Sequence, residues 1–312
     1  MTGGAQTGSQ PPSVSVVLTA YNREHYIAES IESVLAQSYR DFELIIVDDA
    51  SSDRTAAIIE SYARTDPRIR MEVNDRNIGD YPNRRKAAGL ARGRYLKYHD
   101  SDDVMYRHCL MAMVEPLEAE PRAAFALSGS RHWPGGPCPM LLTPALAYER
   151  EFLGSGLFQL GPSSALFRTD LFRSLGGFPD CGVASDYLFW LDACARVSVL
   201  LVPGDLFYYR IHSGQAMVSA SSLGEYARAS SEAWRRLNAA GCPLTGATRE
   251  QAKRNFLFTQ ARGAWRLARE GRIAPAAAVL RHAGAGPLDW LRYLRPPRRS
   301  SSAGTPRAEA RV

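Results

Sequence analysis

Three groups of polar and charged residues each close an apolar stretch of the chain, and their side chains could do chemistry together. Residues 99–103 read HDSDD and place three aspartates within four positions. Asp48 and Asp49 follow the apolar run ELIIV, and residues 19–23 (TAYNR) close the run that begins at Val14. Neighbouring carboxylates repel one another unless a cation or hydrogen bonds offset their charge. The HDSDD segment therefore calls for a nearby cation or a set of hydrogen-bond donors.

Carboxylate oxygens of this kind suit a hard divalent cation. Mg²⁺ and Mn²⁺ usually bind through one or two carboxylates together with the phosphates of a substrate. Such an ion would neutralise a diphosphate and stabilise it as a leaving group. The chain has no glycine-rich phosphate loop of the Walker or dinucleotide type. We therefore expect the metal and basic side chains, with Arg23 and Arg84 as candidates, to hold the phosphates.

Two roles are open for Asp48 and Asp49. They could cap the turn and helix that follow, where residues 51–53 (SSD) supply further capping groups. Alternatively, one carboxylate accepts hydrogen bonds from a nucleobase or a ribose. Thr19 and Tyr21 belong to the neighbouring strand end, where an aromatic ring can stack on a base.

Alternating strands and helices would bring the three groups to one place. Apolar runs predict strands at 14–19 and 43–47, and further strands at about 69–73 and 94–98. Helices are predicted between them, the third at about 81–92. This order is typical of a parallel sheet with helices on both faces, in which ligands bind at the carboxyl ends of the strands. We therefore expect the three groups to meet at one edge of the sheet.

The second half of the chain is less regular. Residues 130–150 contain HWPGGPCP and predict a loop or a β-ribbon insertion. The later predicted elements are a strand at 164–168, a helix near 184–196, and two short strands at 198–202 and 206–210. From about Ser221 to residue 284 the pattern is helical and rich in Ala and Arg.

The net charge of +6 is concentrated near the carboxyl end, where residues 291–312 carry six arginines and one glutamate. The rest is close to neutral, so we expect no nucleic-acid partner. The segment is either a disordered tail or a peripheral membrane contact, made by Trp290, Leu291, Tyr293 and Leu294 between arginines.

Cysteine usage and hydropathy favour a cytoplasmic protein, with contact to the inner face of the plasma membrane as an open alternative. The five cysteines are scattered without a C-x-x-C pair, which is typical of thiols in a reducing compartment. Residues 1–12 lack the features of a secretory signal. No apolar run approaches the roughly 18 residues of a membrane span.

Taken together, these motifs resemble the family 2 glycosyltransferases, which have the GT-A fold. The resemblance begins with VSVVLTAYNREHYIAESIESVLAQSYRDFELIIVDDASSDRT (14–55) and continues through Asn77-x-Gly79, Arg84, ARGRY (91–95) and Asp100–Asp103. It resumes at GPSSALFRTDLFRSLGGFPD (161–180), SDYLFWL (185–191) and YYRIHSGQ (208–215). It implies an α/β fold with a Rossmann-like, mostly parallel sheet flanked by helices.

The expected organisation has four parts. They are a flexible N-terminus (1–12), a GT-A catalytic domain (13–216), a helical C-terminal region (217–288) and a basic, disordered tail (289–312). The nucleotide-binding half of the catalytic domain would run to about residue 103, and the acceptor half would follow. The C-terminal helices would pack against the catalytic domain and shape the acceptor cleft, or serve the membrane contact.

The resemblance implies a role for each matched residue. The nucleotide-sugar site would comprise Thr19, Tyr21, Arg23, Asp49, Arg84 and Asp100, with Asp49 recognising the base and the two arginines near the diphosphate. Asp102 and His212 would hold Mn²⁺ or Mg²⁺, and the adjacent Asp103 could share that duty. Alternatively, His212 is an ordinary histidine of a surface loop. Gly161 matches a small-residue loop beneath the acceptor.

Asp186 matches the catalytic base of the family. In an inverting transfer it would take the proton from the acceptor hydroxyl as that oxygen attacks the anomeric carbon. A base on the acceptor side and a metal on the leaving-group side form a single-displacement arrangement. Asp186 could also cap the helix that begins there, and the two roles are compatible.

Several positions depart from the family pattern. Ser185 stands where an acidic residue is usual, Asp192 where a basic one is common, Arg85 where asparagine is common, and His99 in place of an apolar residue. The absence of a Q-x-x-R-W motif argues against a processive polysaccharide synthase. These changes concern the acceptor side and leave the donor motifs intact.

The expected activity is transfer of a sugar from a nucleoside diphosphate sugar, with UDP or dTDP favoured, to a hydroxyl acceptor in glycan, polysaccharide or glycoconjugate biosynthesis. The acceptor could be a saccharide, a lipid-linked molecule or a small molecule. One alternative is a catalytically silent protein that binds nucleotide sugars or acts as a scaffold. Another is a nucleotidyltransferase, although AYNRE (20–24) lacks the glycine- and lysine-rich loop of such enzymes.

Overall fold

The computed structural model describes residues 11–129, 138–154, 156–212 and 222–293. Its strands are β1 (Val14–Ala20), β2 (Phe42–Asp48), β3 (Ile69–Val73), β4 (Tyr95–Asp100), β5 (Val104–Met105), β6 (Ala123–Ser128), β7 (Met140–Leu142), β8 (Ala165–Arg168), β9 (Ser198–Val202) and β10 (Phe207–Tyr208). Its helices are α1 (Ile27–Leu35), α2 (Thr55–Ala63), α3 (Asp80–Leu90), α4 (Cys109–Ala119), α5 (Pro144–Leu153), α6 (Thr169–Ser174), α7 (Ser185–Cys194), α8 (Ser222–Asn238), α9 (Gly246–Arg269), α10 (Ile273–His282) and α11 (Pro287–Tyr293).

Eight of the strands form one sheet in the order β3-β2-β1-β4-β8-β6-β9-β7. The four predicted N-terminal strands pair in parallel, and helices alternate with them along the chain as expected. In this register Thr19 lies opposite Val47 on one side and Asp100 on the other. The carboxyl ends of β1, β2 and β4 are therefore level with one another.

Burial on both faces explains why the first strands read as continuous apolar runs. Val17, Ile45 and Val47 pack into a core on one face of the sheet. Their neighbours in the chain, Leu18 and Ile46, pack into a second core on the other face. Side chains alternate between the two faces of a strand, and a parallel sheet covered by helices buries both faces.

Two strands of the sheet run against the expected parallel direction, β8 and the edge strand β7, which is antiparallel to β9. β8 lies between β4 and β6 and is antiparallel to both, with Lys97 opposite Leu166. A 3₁₀ turn, Pro162–Ser164, leads into β8. Because β8 is antiparallel to β4, its beginning lies beside the end of β4, and this turn reaches the edge where Asp100 lies.

The prediction of a loop or β-ribbon at 130–150 is wrong for its second part. Residues 130–137 lie outside the described residues. β7 pairs with β9, and α5 follows it directly. The Thr143 side chain accepts a hydrogen bond from the Leu146 amide (3.4 Å), and Pro144 begins the helix. A capping residue followed by proline is a helix-start signal that the composition of the segment obscured.

The C-terminal helices pack against the part of the chain that contains the sheet. Arg236 on α8 forms two hydrogen bonds of 2.7 Å with the carboxylate of Asp192 on α7. The ring of Trp234 stacks on Phe256 of α9 with centroids 5.9 Å apart. A disordered tail was predicted from residue 289, and this prediction is wrong for residues 289–293. Helix α11 extends to Tyr293, and the partly buried Trp290 packs against the core. Residues 294–312 lie outside the described part of the chain.

Two findings bear on the compartment expected from the sequence. Within the described ranges, no helix is both long and apolar enough to cross a membrane. All five cysteines carry free thiols; Cys109, Cys194 and Cys242 are buried, Cys138 is partly buried and Cys181 is exposed.

The segment before β4 approaches β1 closely at Gly93, and a substitution there tests this contact. The Gly93 amide donates to Ser15 Oγ (2.8 Å), and a Cβ at Gly93 would lie 2.5 Å from the Ser15 backbone nitrogen. We expect Gly93→Ala to lower the free energy of unfolding by about 1–3 kcal/mol, because the backbone must shift. In Gly89→Ala, on the exposed face of α3, the added methyl meets nothing within 4 Å, and stability should not fall. Urea unfolding of both variants checks this, and equal midpoints would contradict it.

Candidate active site

A cleft of about 1030 Å³ opens at the carboxyl ends of β1, β2 and β4. The predicted site residues that line it are Thr19, Tyr21, Arg23, Asp49, Arg84, Asp100, Asp102, Gly161 and Asp186. His212 reaches the same place through its contact with Asp102. The three polar groups that follow the N-terminal strands thus meet at one edge of the sheet.

Asp100 is held from two sides at the end of β4. One carboxylate oxygen accepts a hydrogen bond from Arg84 Nη2 (2.6 Å), and the other accepts one from Ser163 Oγ (2.7 Å). Burial acts to raise the pKa of Asp100, but the Arg84 charge and the hydrogen bonds from Ser163 and Arg84 outweigh it and lower the pKa. Asp100 is therefore a fixed anion at the cleft wall.

Arg84 is the buried cation of this edge. Its Nε donates to Asp80 (2.8 Å), while its Nη2 donates to Asp100, and the guanidinium lies 5.8 Å from the centre of the Tyr81 ring. Its third nitrogen, Nη1, is buried and has no hydrogen-bond partner among the described residues. A buried guanidinium nitrogen without a partner is costly, and an anionic oxygen in the cleft would satisfy it.

Asp102 faces two basic side chains. Its Oδ2 lies 3.2 Å from Arg23 Nε and 3.0 Å from His212 Nε2. The His212 ring packs against Tyr26 with centroids 4.7 Å apart, which fixes its orientation. The alternative that His212 is an unattached surface histidine does not fit this placement, because its side chain is 12% exposed and contacts the carboxylate.

Asp103 and Arg210 connect the aspartate segment to the strand that precedes His212. The Arg210 amide donates to Asp103 Oδ1 (3.0 Å), and Arg210 Nε donates to the carbonyl of Asp102 (2.9 Å). Asp103 Oδ2 is buried and has no partner among the described residues. Burial, with the charges of Asp100 and Asp102, raises the pKa of Asp103 to about 8. A nearby cation would relieve this cost.

The protein side chains alone do not complete a metal shell. Within the described ranges, no group of three or more His, Cys, Asp or Glu side chains is placed to hold a metal ion. Asp102 and His212 supply two donors that meet at one point, with the unpartnered oxygen of Asp103 in the same loop. This set fits an ion of the Mg²⁺ or Mn²⁺ class, which keeps part of its shell for water and substrate phosphate.

The two aspartates after β2 have separate roles. Asp48 accepts hydrogen bonds from the amide and hydroxyl of Ser51 (2.9 and 2.6 Å), so it caps the following turn. Asp49 accepts hydrogen bonds from the side chain of Asn74 (2.6 Å) and from the amides of Ile78 and Gly79 (2.9 Å each). Asp49 therefore orders the loop before α3 and still lines the cleft, where a carboxylate has room for a further donor.

Asp186 stands in the first turn of α7, and its carboxylate accepts a hydrogen bond from the Tyr187 amide (2.6 Å). Burial raises its pKa to about 7; the Tyr187 hydrogen bond and the Arg84 charge offset part of this rise, and Asp100 adds to it. A carboxylate with a pKa near neutrality can both take and release a proton. The N-cap of α7 is Ala184, so Asp186 contributes to the first turn of the helix only through the Tyr187 amide.

The cleft extends beyond the part that the family motifs cover. Tyr187 forms a side-chain hydrogen bond with Glu151, which also accepts hydrogen bonds from the amides of Leu157 and Phe158 (2.7 and 2.8 Å). The lining residues beyond Asp186 include Phe158, Leu160, Ala229, Ser230, Phe256 and Gln260, the last four from α8 and α9. The C-terminal helices therefore form one wall of the cleft.

The departures from the family pattern have different structural consequences. Ser185 is fully buried, and its hydroxyl accepts a hydrogen bond from the Cys181 amide and donates one to the Gly182 carbonyl. Asp192 serves as the anchor for Arg236, and Arg85 donates to the carbonyl of Phe178 (3.3 Å). His99 is buried without hydrogen-bond partners among the described residues, and burial lowers its pKa to about 3, so it is neutral.

Sequence reasoning missed several residues that organise the site. Ser163 and Arg210 lie inside the quoted motifs GPSSALFR and YYRIHSGQ, but nothing in a sequence reveals that they contact Asp100 and Asp103. Glu151 follows a proline-rich segment that gave no site signal. Phe256 and Gln260 lie on a helix far from the motifs, and only its packing brings them to the cleft.

Comparison with known proteins identifies the family. The profile of Glycosyl transferase family 2 matches residues 15–175, and the chain belongs to this family. TuaG of Bacillus subtilis, named for teichuronic acid biosynthesis, is 39% identical over 118 residues, which cover 38% of this chain and 46% of TuaG. The chain thus spans less than half of that relative.

Solved structures of other glycosyltransferases share the fold. Staphylococcus aureus TarS (residues 1–349) in complex with UDP-GlcNAc has a TM-score of 0.61 at 20% identity, over 86% of this chain and 90% of that one. The mannosyltransferase PcManGT of Pyrobaculum calidifontis, in complex with GDP-Man and Mn²⁺, also has a TM-score of 0.61. Its sequence identity is 19%, and the match covers 91% of this chain and 79% of PcManGT. These matches confirm the expected GT-A fold, with its mostly parallel sheet and helical C-terminal region.

Removal of the Arg84 charge tests its role as the counter-charge of this edge. Arg84→Met would leave the partly buried carboxylate of Asp100 without its cation, and we expect a loss of about 3 kcal/mol in the free energy of unfolding. Adding Asp100→Asn should recover part of this loss, since the uncompensated charge is then gone. A double-mutant cycle by urea unfolding measures the coupling. Additive effects of the two substitutions would contradict the prediction.

Proposed function

We propose that the protein is an inverting glycosyltransferase that moves a sugar from a nucleoside diphosphate sugar to a hydroxyl acceptor. One observation carries the proposal: a single cleft holds the carboxylate of Asp186, with a pKa near 7, together with Arg84, Asp100 and Asp102. A single displacement needs a base for the acceptor and positive charge for the leaving group. Family membership supports the same reaction class.

The donor nucleoside would lie at the ends of β1 and β2. Tyr21 is 45% exposed at the cleft wall, so its ring is available to stack on a base. Asp49 would accept the imide N–H that uracil and thymine share, which favours UDP and dTDP. Thr19 completes this wall. The complexes of TarS with UDP-GlcNAc and of PcManGT with GDP-Man support a nucleotide-sugar donor without fixing its base.

The diphosphate would lie between Arg23 and Arg84, with the unpartnered Nη1 of Arg84 donating to it. Asp102 and His212 would hold Mn²⁺ or Mg²⁺, and Asp103 could add its free oxygen. When bound, the ion would neutralise the diphosphate and make it a better leaving group. The Mn²⁺ in the PcManGT complex supports a divalent ion in this role.

Asp186 would act as the base on the acceptor side. As the acceptor oxygen forms its bond to the anomeric carbon, the proton passes from that oxygen to the Asp186 carboxylate. The bond between the anomeric carbon and the phosphate oxygen breaks, and its electron pair leaves with the diphosphate, whose charge Arg23 and Arg84 offset. Attack opposite the leaving group inverts the anomeric configuration.

The acceptor would occupy the end of the cleft formed by α8 and α9. The aromatic ring of Phe256 and the amide of Gln260 offer stacking and hydrogen bonds there, which a sugar ring uses well. The name of TuaG supports a role in polysaccharide biosynthesis. A saccharide, a lipid-linked molecule and a small molecule with a hydroxyl group all remain within this proposal, as does a cytoplasmic location.

The second candidate is a silent nucleotide-sugar-binding or scaffold protein. Asp100, Asp102 and Asp186 are all present and line one cleft, which favours an active enzyme over this alternative. A nucleotidyltransferase is disfavoured, because the segment after β1 lacks a glycine- and lysine-rich loop.

Calorimetric titration of UDP and dTDP, with and without Mn²⁺, tests the donor site. We expect binding that requires the metal, and Asp102→Ala should abolish it, because the carboxylate is a proposed ligand. Asp170→Ala, at an exposed position of α6, is the matched control and should bind as the native chain does. Failure of both nucleotides to bind with metal present would overturn the donor assignment.

The pH dependence of kcat/KM tests Asp186 as the base. The raised pKa means that the carboxylate is protonated and inactive below about pH 7. We expect kcat/KM to rise about tenfold per pH unit below that point and to level off above it. Burial sets most of the rise in the pKa of Asp186, while the Arg84 charge lowers the pKa and the Asp100 charge raises it; the neighbouring Tyr81 phenol has a pKa well above its ordinary value and stays uncharged.

Asp186→Asn should lower kcat by about 10²–10⁴-fold while UDP binding persists, because the amide cannot accept the proton. Asp170→Asn is the control for loss of a carboxylate elsewhere. Full activity in Asp186→Asn, or a profile with its midpoint near pH 4, would show that another group is the base. Loss of activity together with loss of UDP binding would instead indicate damage to the donor site.

A further inference from the structure

The outer face of α9 carries an unusual combination of exposed residues. Arg262, Trp265, Arg266 and Arg269 are spaced by three and four positions, so they lie along one face of the helix. All four are exposed, and Trp265 leaves 61% of its surface open to solvent. The guanidinium of Arg269 lies 4.8 Å from the centre of the Trp265 ring, which orders the pair at the surface.

The end of α9 adds two further residues to this face. Gly271 has a φ of +75°, and its amide donates to the carbonyl of Ala268 (3.0 Å) while that of Arg272 donates to Leu267 (2.9 Å). This Schellman arrangement stops the helix and reverses the chain. Arg272 and Ile273 are thereby left exposed beside the end of α9, Ile273 with 63% of its surface open.

The four arginines of this segment differ from those exposed arginines that pair with a neighbouring acidic residue. Arg64, Arg122 and Arg235 each form a salt bridge with a nearby glutamate. Within the described ranges, Arg262, Arg266, Arg269 and Arg272 form no salt bridge, and Glu270 is the acidic residue among them. Their positive charge therefore faces solvent together with an exposed tryptophan and an exposed isoleucine.

We propose that this face docks on an anionic lipid bilayer. The docking face is defined by Arg262, Trp265, Arg266, Arg269, Arg272 and Ile273. Arginine binds anionic headgroups, and an exposed tryptophan and an aliphatic side chain enter the boundary between headgroups and acyl chains. A surface adapted only to soluble polyanions needs no exposed isoleucine, so the apolar residues favour a bilayer. The proposal does not depend on the enzymatic reaction.

A small cavity beside the docking face fits a headgroup phosphate. It has a volume of about 400 Å³ between α9 and α10 and is lined by Arg266 and Arg272, together with Thr259, Gln260 and Glu270 among others. Gln260 also lines the large cleft. Since Gln260 and Trp265 are five residues apart on α9, about 7.5 Å along its axis, docking would hold the acceptor end of the cleft close to the bilayer surface.

Vesicle co-sedimentation of the full chain tests the docking face. We expect binding to vesicles of phosphatidylcholine and phosphatidylglycerol in equal parts, weakened by salt, and little binding to phosphatidylcholine alone. Each surface arginine contributes about fivefold to such binding, so Arg266→Gln with Arg269→Gln should weaken it about 25-fold. The control, Arg64→Gln with Arg122→Gln, removes the same charge from the residue that follows α2 and from the turn before β6 and should bind as the native chain does.

Quenching of tryptophan fluorescence by lipids brominated in the acyl chains provides the second measurement. Quenching in the native chain and its loss in Trp265→Phe would support insertion of this residue, with an unchanged melting temperature as the check on folding. Equal losses of vesicle binding in the two double variants would overturn the proposal. They would indicate that the vesicles attract the positive charge of the whole chain, including the arginines of residues 294–312, and not the docking face. Absence of binding by the native chain, or unchanged quenching in Trp265→Phe, would overturn it as well.

Discussion

Arg84 supplies the positive charge on which the carboxyl edge of this sheet depends. Its guanidinium bridges Asp80 and Asp100 and lies close enough to Asp186 to oppose the rise in its pKa. Without this cation, the adjacent carboxylates would raise one another's pKa and the segment would lose its charge. Because one nitrogen of Arg84 has no partner among the described residues, the same residue that offsets the carboxylates of this edge can also receive an anionic substrate.

The direction of β8 provides the second support of the site. An antiparallel strand beside β4 starts where β4 ends, so the turn before β8 carries Ser163 to Asp100. Lys97 lies on β4, and its buried ammonium donates to the carbonyls of Ser163 and Tyr98. These hydrogen bonds connect the turn before β8 to β4. A parallel strand in this place would bring its opposite end to the cleft, and Asp100 would lose one of its two donors.

The C-terminal helices complete a part of the cleft that lies beyond the family profile. The family profile ends at residue 175, whereas Phe256 and Gln260 on α9 line the cleft. Arg236 holds α8 to α7 through Asp192, a position where the family commonly has a basic residue. This contact holds the helical region against the part of the chain that contains the sheet, and the docking face continues on the same α9 helix.

The sequence by itself determined the alternation of strands and helices, the edge at which Asp49, Asp100 and Asp102 meet, and the GT-A fold. The alternation and the meeting edge follow from local patterns, since apolar periodicity marks the elements and the order of elements places their ends. The GT-A fold was implied by the resemblance of the motifs to a known family. The sequence could not determine the direction of β8, the partners of Asp100 and Asp103, or the wall formed by α9. Those depend on contacts between distant residues, such as Ser163 with Asp100, 63 positions apart, and Arg210 with Asp103, 107 apart. Only the packed tertiary structure decides such pairs, because no local pattern records which distant side chain will satisfy a buried charge.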